Sequence, residues 1–370
     1  MKPTAPAFDL RRIIPCFKIE GEFLDAGPYG TGHINDTYAS RFRSGDAVVR
    51  YIHQRVNPHV FKRPDLVMAN VERVTTHLRR KVITAGGDPD RETLNLVPTR
   101  DGAAFCRDEE GHTWRTYLFI EGAHTYDLVR DHDLAQEAAF AFGRFQRLIA
   151  DLPGEPLSET IPDFHNTVWR LAQFREAVAR DPFGRAAAAK AEVAFIEARA
   201  AEASRLVDLH RAGRLPLRNA HNDTKFNNVM IDERTGAAVC VIDLDTVMPG
   251  FGVVDFGECV RTGAATAVED ERDLAKVKLD LAMFEALARG FLEATAGFLA
   301  PLEVELLPFA CRLMTLENGM RFLTDHLRGD VYFKVHREGH NLDRARTQLR
   351  LVEEMERAEE PMRAAIAGSR

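Results

Sequence analysis

Apolar and polar residues alternate in short runs over the first 120 positions of the chain. The run 47–53 is rich in β-branched and other apolar residues and predicts a strand, and shorter β-like runs lie at 94–98, 103–106 and 114–120. One helix is predicted over 65–85, because apolar residues recur there at helical spacing at Leu66, Ala69, Val74, Leu78 and Val82. We therefore expect residues 1–121 to form a small, mostly antiparallel sheet with one inserted helix.

Helical spacing dominates after residue 121. It predicts helices over most of the chain from residue 255 onward and, before that, over 133–150, 163–180 and 185–212. Between these regions, the apolar runs 229–232 and 237–242 flank the turn sequence Glu-Arg-Thr-Gly and predict a hairpin. The pattern favours an α+β, protein-kinase-like fold of two lobes. We expect a small antiparallel β lobe over residues 1–121 and a larger, mainly helical lobe over residues 122–370.

Composition narrows the possible partners. The 370 residues carry a net charge of −7, so the basic excess that is typical of nucleic-acid binding is missing, and we expect neither a nucleic-acid nor a membrane partner. No run approaches the roughly 20 apolar residues that a membrane-spanning helix needs. The five cysteines form no C-x-x-C pair, which argues against a zinc site or a disulfide framework. We expect a cytoplasmic protein that is a monomer or a dimer.

The segment 221–245 carries the strongest chemical signal. It reads HNDTKFNNVMIDERTGAAVCVIDLD, a polar loop followed by the predicted hairpin and an acidic end. Phosphoryl transfer needs an oriented acceptor oxygen and a divalent cation on the phosphates, and Mg²⁺ prefers carboxylate and other oxygen ligands. The spacing of Asp223, Asn228 and Asp243 matches the catalytic loop and the metal-binding Asp of protein kinases. We predict Asp223 as the catalytic residue and Asn228 and Asp243 as Mg²⁺ ligands.

The tripeptide Asp255-Phe256-Gly257 also spells the metal-binding motif of protein kinases. It lies beyond the end of the predicted hairpin, however, and follows the loop sequence Met-Pro-Gly. We therefore assign the metal to Asp243 and expect Asp255 to have a structural role, capping a helix and bonding to the catalytic loop.

A glycine-rich turn at 27–38 allows backbone N–H groups to approach phosphates closely. The chain contains no Walker sequence, which excludes a P-loop kinase. Gln54 or Arg55 takes the approximate place of the small-lobe lysine of protein kinases, and the run 117–121 is where the segment between the lobes would meet adenine through its backbone. The predicted cofactors are ATP and Mg²⁺, and the predicted nucleotide-binding residues are Gly30, Gly32, His33, Asn35, Gln54, Arg55, Phe119 and Ile120.

Four stretches resemble the aminoglycoside phosphotransferase and choline kinase superfamily and, within it, the N-acetylhexosamine 1-kinases. They are GHINDTY (32–38), HNDTKFNNV (221–229), VIDLDTVMPG (241–250) and GDVYFK…HNLDRARTQ (329–348). The resemblance implies a two-lobed kinase fold and transfer of the γ-phosphate of ATP to the anomeric hydroxyl of N-acetylglucosamine or N-acetylgalactosamine. It also implies that this small sugar contacts Asp223, Arg321 and Tyr332.

The same signature contains His340, Asn341, Asp343 and Arg344, for which the sequence gives no chemical role. A buried polar network that ties the last helices together is an equally good interpretation of these residues.

Two other functions stay open at this point. The first is a kinase for another small hydroxyl compound, such as an aminoglycoside, choline, homoserine or another hexose. An aminoglycoside kinase should present an acidic cleft to its polycationic acceptor. The second is a non-catalytic nucleotide-binding module, against which the intact set Asp223, Asn228 and Asp243 argues.

Overall fold

The computed structural model describes residues 8–30 and 34–369, and it contains a sheet lobe and a helical lobe. Five antiparallel strands form the main sheet in the order β1-β2-β3-β5-β4. The prediction of an antiparallel β lobe is confirmed, although 94–98 makes only an isolated bridge, from Leu96 to Tyr117. The strands are β1 (Glu22–Pro28), β2 (Asp36–Ser44), β3 (Ala47–Arg55), β4 (Cys106–Arg107) and β5 (Thr113–Leu118).

The predicted helix within this lobe is α1 (Pro64–Thr84). Its buried face consists of Val67, Val71, Val74, Leu78 and Val82. The predicted face was therefore wrong at Leu66 and Ala69, which are not fully buried. The α1 residues share one hydrophobic core with β5 and with the helical lobe, so α1 lies at the contact between the two lobes.

The helical lobe contains the predicted hairpin in its middle. β6 (Ala123–His124), β8 (Val229–Asp232) and β9 (Ala238–Val241) form a three-stranded antiparallel sheet. β7 (Arg218–Ala220) pairs with β10 (Met248–Gly250) just before and after this hairpin. Because β6 directly follows the β lobe, the hairpin lies beside the segment that connects the lobes. The position of the boundary at residue 121 stays a prediction.

Nine helices of this lobe lie in the described part of the chain. Two of them, α2 and α7, pack closely, because a Cβ atom on Gly290 would lie 2.0 Å from the carbonyl oxygen of Gln136. The helices are α2 (His132–Ile149), α3 (Thr167–Arg180), α4 (Lys190–Glu197), α5 (Arg205–Arg211), α6 (Gly252–Gly263), α7 (Leu281–Ala294), α8 (Pro301–Leu327), α9 (His340–Arg357) and α10 (Glu359–Gly368).

The prediction of one helix over 185–212 is wrong. The segment breaks into α4, a 3-10 turn at Ala200–Glu202, and α5. Ala189, Ile196 and Ala203 belong to a core formed with α3, α8 and α9, whereas Leu206 belongs to the main core. The chain bends to reach both cores, and this packing overrides the high helix propensity of its alanines.

The sequence predicted neither a membrane-spanning helix nor a disulfide framework. No helix within residues 8–30 and 34–369 is long and apolar enough to cross a membrane. Each of the five cysteines is a free thiol, and Cys240, Cys259 and Cys311 are buried.

Candidate active site

The catalytic loop is the polar segment between β7 and β8. Two of its backbone N–H groups, those of His221 and Asn222, donate to the carboxylate of Asp255 over 2.9 and 2.7 Å. Gln146 of α2 donates to the same carboxylate over 2.6 Å. The expected bonding of Asp255 to the loop is confirmed. The expected capping role of Asp255 is wrong, because the helix begins at Gly252 with Phe251 as its N-cap residue, and the Asp255 carboxylate fixes the loop instead.

Asp223, Asn228 and Asp243 converge at the end of this loop. Asn228 donates from Nδ2 to the Asp223 carboxylate over 3.0 Å and to the Asp223 carbonyl oxygen over 2.7 Å. The Ile242 N–H donates to the Asn228 carbonyl oxygen over 2.9 Å, which places the end of the β8–β9 hairpin beside the loop. The sequence spacing and the structure therefore bring the same three residues together.

Asp243 has the electrostatic character of a cation ligand. Burial raises the pKa of its carboxyl group to about 6, and the neighbouring carboxylates of Asp245 and Asp223 add to this effect. No described residue donates a hydrogen bond to the Asp243 carboxylate. The backbone of Asp243 is in the left-handed region, with a φ of 59°. A carboxylate held among other carboxylates without a donor in the described residues fits a site for a divalent cation.

Asp223 stays ionised for a different reason. Burial raises the pKa of its carboxyl group, but the Lys225 ammonium at 2.9 Å, together with His221 and Asn228, outweighs burial and holds this pKa below its usual value. The charge of Asp223 correspondingly raises the pKa of Lys225. An ionised carboxylate at this position can accept a hydrogen bond from an acceptor hydroxyl group.

Behind this set, Asp245 is held by residues of the sheet lobe. Arg115 of β5 forms an ion pair with one carboxylate oxygen, and Asn35 donates to the other over 2.8 Å. Asn35 also accepts from the Asn57 N–H over 3.0 Å. Both carboxylate oxygens of Asp245 therefore already have partners within the protein. Asp245 connects the segment after the glycine-rich turn to the candidate metal ligands.

The residues predicted in place of the kinase lysine lie on opposite faces of the sheet, because neighbouring residues of β3 point in opposite directions. Gln54 accepts from Arg115 over 3.0 and 2.8 Å, on the face toward Asp245. Arg55 pairs instead with Asp36 on the other face, near Trp114. Arg55 therefore lies away from Asp245, Arg115 is a cation on the face toward Asp245, and nucleotide binding by Arg55 stays a prediction.

The glycine-rich turn is described only in part. Gly30 is exposed and has a φ of +76°, a conformation that favours glycine. Gly32 and His33 lie outside the described residues. Tyr29, at the end of the described part of the turn, lies with its ring 5.5 Å from that of Phe119 in an edge-to-face arrangement.

The segment between the lobes presents backbone rather than side chains. Phe119 and Ile120 are buried, and the Arg50 guanidinium lies 3.6 Å from the centre of the Phe119 ring. Phe119 donates its N–H to the Arg50 carbonyl oxygen over 3.1 Å. Neither the N–H nor the carbonyl group of Ile120 bonds to another described backbone group. These free peptide groups fit the expected backbone contact with a planar base.

Arg321 and Tyr332 both contact the ring of Phe333. The Arg321 guanidinium lies over the rings of Phe164 and Phe333, at 5.3 and 5.6 Å from their centres. The Tyr332 side chain is 59% exposed and packs edge-to-face on Phe333. The structure therefore brings both residues predicted to bind the sugar to one aromatic and cationic surface.

A second guanidinium belongs to this surface. Arg170 donates to the Phe164 carbonyl oxygen over 2.8 Å. Burial lowers the pKa of Arg170 to about 10, and the charge of Arg321 contributes. Neither arginine forms an ion pair with a carboxylate of the described chain, although the charges of Glu317 and Asp163 act on Arg170. We call Phe164, Arg170, Arg321 and Tyr332 the acceptor surface.

Comparison with known proteins agrees with this geometry. A sequence profile described as the phosphotransferase enzyme family matches residues 25–290. The chain belongs to this family. The matched residues contain most of the sheet lobe, the catalytic loop and Asp243, whereas Arg321 and Tyr332 lie beyond the match.

Three solved structures share the fold of this phosphotransferase at low identity. An aminoglycoside phosphotransferase from Alicyclobacillus acidocaldarius is 12% identical with a TM-score of 0.57, over 100% of this chain and 96% of that one. A choline kinase from Cryptosporidium parvum is 14% identical with a TM-score of 0.53, over 92% and 91%. A spectinomycin phosphotransferase in complex with ADP and spectinomycin is 13% identical with a TM-score of 0.55, over 97% and 100%.

The signature at 329–348 forms a polar network in this phosphotransferase. Asp325 accepts hydrogen bonds from the backbone N–H groups of Val331, Tyr332 and Phe333 over 2.8–3.0 Å. Asn341 donates to Asp325 and to Asp330, over 2.9 Å each. The predicted network is present, and it fixes the loop that carries Tyr332.

Two residues that contact the site, Arg115 and His165, were not predicted from the sequence. Arg115 interrupts the buried strand sequence Thr-Trp-Arg-Thr-Tyr-Leu, and a charged residue within a buried strand indicates a buried partner. The loop residue His165 had no comparable signal, because its contacts are formed only in the folded phosphotransferase.

Proposed function

We propose that this protein is a kinase that transfers the γ-phosphoryl group of ATP to the anomeric hydroxyl of an N-acetylhexosamine and yields the sugar 1-phosphate. The observation that carries the phosphoryl-transfer part is the convergence of Asp223, Asn228 and Asp243, with a buried Asp243 carboxylate that lacks a donor in the described chain. Membership of the phosphotransferase enzyme family supports the same reaction class.

The chain's own residues suggest the following mechanism. The ionised Asp223 accepts a hydrogen bond from the acceptor hydroxyl, orients its oxygen for in-line attack, and takes its proton late in the transfer. Asn228 keeps the Asp223 carboxylate in place through its amide hydrogen bond. Asp243 and Asn228 would hold Mg²⁺, which offsets charge on the phosphate oxygens when bound. Lys225 forms an ion pair with Asp223 over 2.9 Å and would add positive charge next to the transferred group.

The nucleotide would bind between the sheet lobe and the catalytic loop. The backbone of Ile120 would meet the adenine base, and the turn that contains Gly30, Gly32 and His33 would cover the phosphates. Gln54 and Asn35 would act indirectly, because both side chains are already bonded to the Arg115–Asp245 pair. An ADP-bound spectinomycin phosphotransferase of the same fold supports an adenine nucleotide as donor.

The charge of the acceptor surface supports a neutral sugar over a polycation. Arg170 and Arg321 are neighbouring guanidinium groups that form no ion pair within residues 8–30 and 34–369, and their charge disfavours aminoglycosides and quaternary amines. Guanidinium and aromatic groups suit the hydroxyl, amide and ring faces of a sugar. The sequence stretches that resemble N-acetylhexosamine 1-kinases point to an acetylated amino sugar.

A panel of acceptors tests this proposal. Purified protein with ATP and Mg²⁺ would be assayed for ADP release with N-acetylglucosamine, N-acetylgalactosamine, unmodified hexoses, homoserine, choline and an aminoglycoside. We expect turnover with an acetylated hexosamine, and phosphorus–proton NMR should place the phosphate on C1. Preferred phosphorylation of an amine, or of another hydroxyl of the sugar, would contradict the acceptor assignment. Absence of Mg²⁺-dependent turnover with every compound would contradict the kinase assignment.

A further inference from the structure

His165 lies in the loop before α3, and its imidazole ring is enclosed between the catalytic loop and α8. Its Nδ1 atom is 2.8 Å from the Glu317 carboxylate, and its Nε2 atom is 2.9 Å from the Asn222 carbonyl oxygen. Only 8% of the His165 side chain and none of the Glu317 side chain is exposed. Burial raises the pKa of Glu317, but His165 and Thr167 outweigh burial and hold this pKa below its usual value, so Glu317 is an ionised acceptor. Because the Asn222 carbonyl oxygen is also an acceptor, both ring nitrogens donate and the imidazole carries a positive charge.

The surroundings of the ring agree with this charge. Burial alone lowers the pKa of His165, but Glu317, and to a smaller extent Glu258 of α6, outweigh burial and raise this pKa above its usual value. The second oxygen of Glu317 accepts from the Thr167 hydroxyl over 2.5 Å. The positive charge that faces Glu317 from α3 is Arg170.

The contact with Asn222 controls the peptide group that precedes Asp223. Asn222 has a φ of +64°, a left-handed conformation that asparagine tolerates better than most residues. Its N–H is held by Asp255, and its carbonyl oxygen is held by His165, so the residue is fixed on both sides. The orientation of the 222–223 peptide in turn sets the direction of the Asp223 side chain.

We propose that His165 is a positioning residue for phosphoryl transfer. Its ring is held by the Glu317 carboxylate, fixes the 222–223 peptide through the Asn222 carbonyl oxygen, and thereby directs Asp223 toward the acceptor. This inference rests on the proposed role of Asp223. The same loop reaches the acceptor surface, because the Phe164 carbonyl oxygen accepts from Arg170 and the Phe164 ring lies beside Arg321. His165 therefore links the sugar-binding side to the catalytic loop.

Two variants separate positioning from simple stability. In Glu317→Gln, the new amide can donate to Nδ1 of a neutral His165, which still donates to Asn222, so kcat at pH 7 should stay within about threefold of wild type. The double variant H165L/E317M removes both members of the buried pair, so neither member is left as a buried charge without the other, and the contact with Asn222 is lost. With N-acetylglucosamine and MgATP, its kcat should fall at least about tenfold, while its KM for MgATP changes little.

A kcat of H165L/E317M close to that of the wild type would overturn the inference. Because this variant could fail to fold, the pH profile provides an independent measurement. The raised pKa means that the charged ring is present at low pH and is lost as the pH rises through that value. Wild-type kcat should therefore decline on the alkaline side, and the decline should be absent in Glu317→Gln. Identical alkaline limbs in the two proteins would refute the role of the charged ring.

Nitrogen-15 NMR of the histidine rings needs no substrate. At pH 7 the full-length wild type should show one imidazole with both nitrogens protonated, and Glu317→Gln should convert this signal to a neutral ring. A neutral His165 in the wild type would overturn the inference. If the charged ring is observed but no acceptor is phosphorylated, the proposed kinase function fails instead, so the two failures can be distinguished.

Discussion

Arg115 and Asp245 form an ion pair between the two lobes in which each side chain is only 1% exposed. Arg115 belongs to β5 of the sheet lobe, and Asp245 follows Asp243 by two residues in the helical lobe. The Thr160 hydroxyl donates to the Asp245 carbonyl oxygen over 2.6 Å and fixes its backbone. The position of the candidate metal ligand therefore depends on a residue of the other lobe.

We expect Arg115→Met to lower the free energy of unfolding by about 3–5 kcal/mol, because it leaves the Asp245 carboxylate buried without its cation. The variant should also raise the KM for MgATP, since Asp245 would no longer hold the segment that contains Asp243. Urea unfolding and steady-state kinetics measure the two effects.

Arg55→Met is the matched control for this variant. Arg55 lies on the other face of the same sheet and pairs with Asp36, with side-chain exposures of 31% and 52%. A partly exposed pair of this kind contributes less than about 1 kcal/mol. Equal losses of stability in the two variants would show that the buried pair has no special role.

The failure to predict Arg115 has a physical cause. The sequence places Asp223, Asn228 and Asp243 within one loop and one hairpin, so their proximity depends on local spacing that can be counted. Arg115 meets Asp245 only through the pairing of β3 with β5 and the packing of one lobe on the other, over a separation of 130 residues. Contacts of that range are decided by tertiary packing, which spacing along the chain does not encode.

The same limit applies to the fold. Period-two and helical patterns were sufficient to predict the β lobe, α1, α2 and the β8–β9 hairpin, because each buries one face against a neighbour. They failed over 185–212, where the chain passes from one core to another. They also failed to distinguish Val67 from Leu66 in α1, since both are apolar and only the direction of the sheet decides which one is buried.

Asp243→Asn should have opposite effects on stability and on nucleotide binding. The Asp243 carboxylate is repelled by Asp245 and Asp223 and receives no hydrogen bond from the described residues. Its removal should stabilise the metal-free protein by about 1–3 kcal/mol. The variant should lose most Mg²⁺-dependent affinity for ATP. Thermal unfolding in EDTA and titration calorimetry with and without Mg²⁺ test the pair of effects, and an unchanged Mg²⁺ dependence would exclude Asp243 as a metal ligand.

Asp223→Asn should reduce kcat by about 10²–10⁴-fold, the range expected for loss of a residue that orients the acceptor and takes its proton. ATP should still bind, because the nucleotide contacts do not involve the Asp223 carboxylate. Glu233→Gln, in the exposed turn of the β8–β9 hairpin, is the control and should leave kcat unchanged. Turnover close to wild type in Asp223→Asn, measured by ADP release with N-acetylglucosamine, would remove Asp223 from the catalytic role.

His53 should make the stability of the sheet lobe sensitive to acid. Its ring is buried between the hydroxyl groups of Ser40 and Thr116, and burial lowers its pKa from 6.5 to about 4. Between these values the unfolded chain binds a proton that the folded protein does not, so the free energy of unfolding falls as the pH drops from about 6.5 toward 4.

The free energy of unfolding is expected to fall by about 3 kcal/mol over this pH range. This follows from lowering the pKa of His53 from 6.5 to about 4, because one pKa unit corresponds to 1.36 kcal/mol. His53→Asn should remove this component of the pH dependence. His59→Asn, which changes an exposed histidine that follows the same strand, should leave it in place. Urea unfolding at pH 4.5, 5.5 and 7 compares the three proteins, and parallel curves for wild type and His53→Asn would contradict the prediction.

Asn341→Ala should affect the acceptor and not the nucleotide. Asn341 holds Asp325, whose carboxylate receives three successive backbone N–H groups of the loop that carries Tyr332. Without the hydrogen bond from Asn341, the Asp325 carboxylate should be held less firmly and should bind the backbone N–H groups of the loop less well. The loop should then move away from Arg321. We expect the KM for N-acetylglucosamine to rise about tenfold, since loss of a hydrogen bond to a charged group typically costs 1.5–3 kcal/mol, with little change in the KM for MgATP.

Asp343→Asn, two residues further along α9, changes an ion pair with Arg337 and serves as the control. A rise in the KM for MgATP equal to that for the sugar would mean that Asn341 stabilises the whole lobe, and the loop would then have no separate part in acceptor binding.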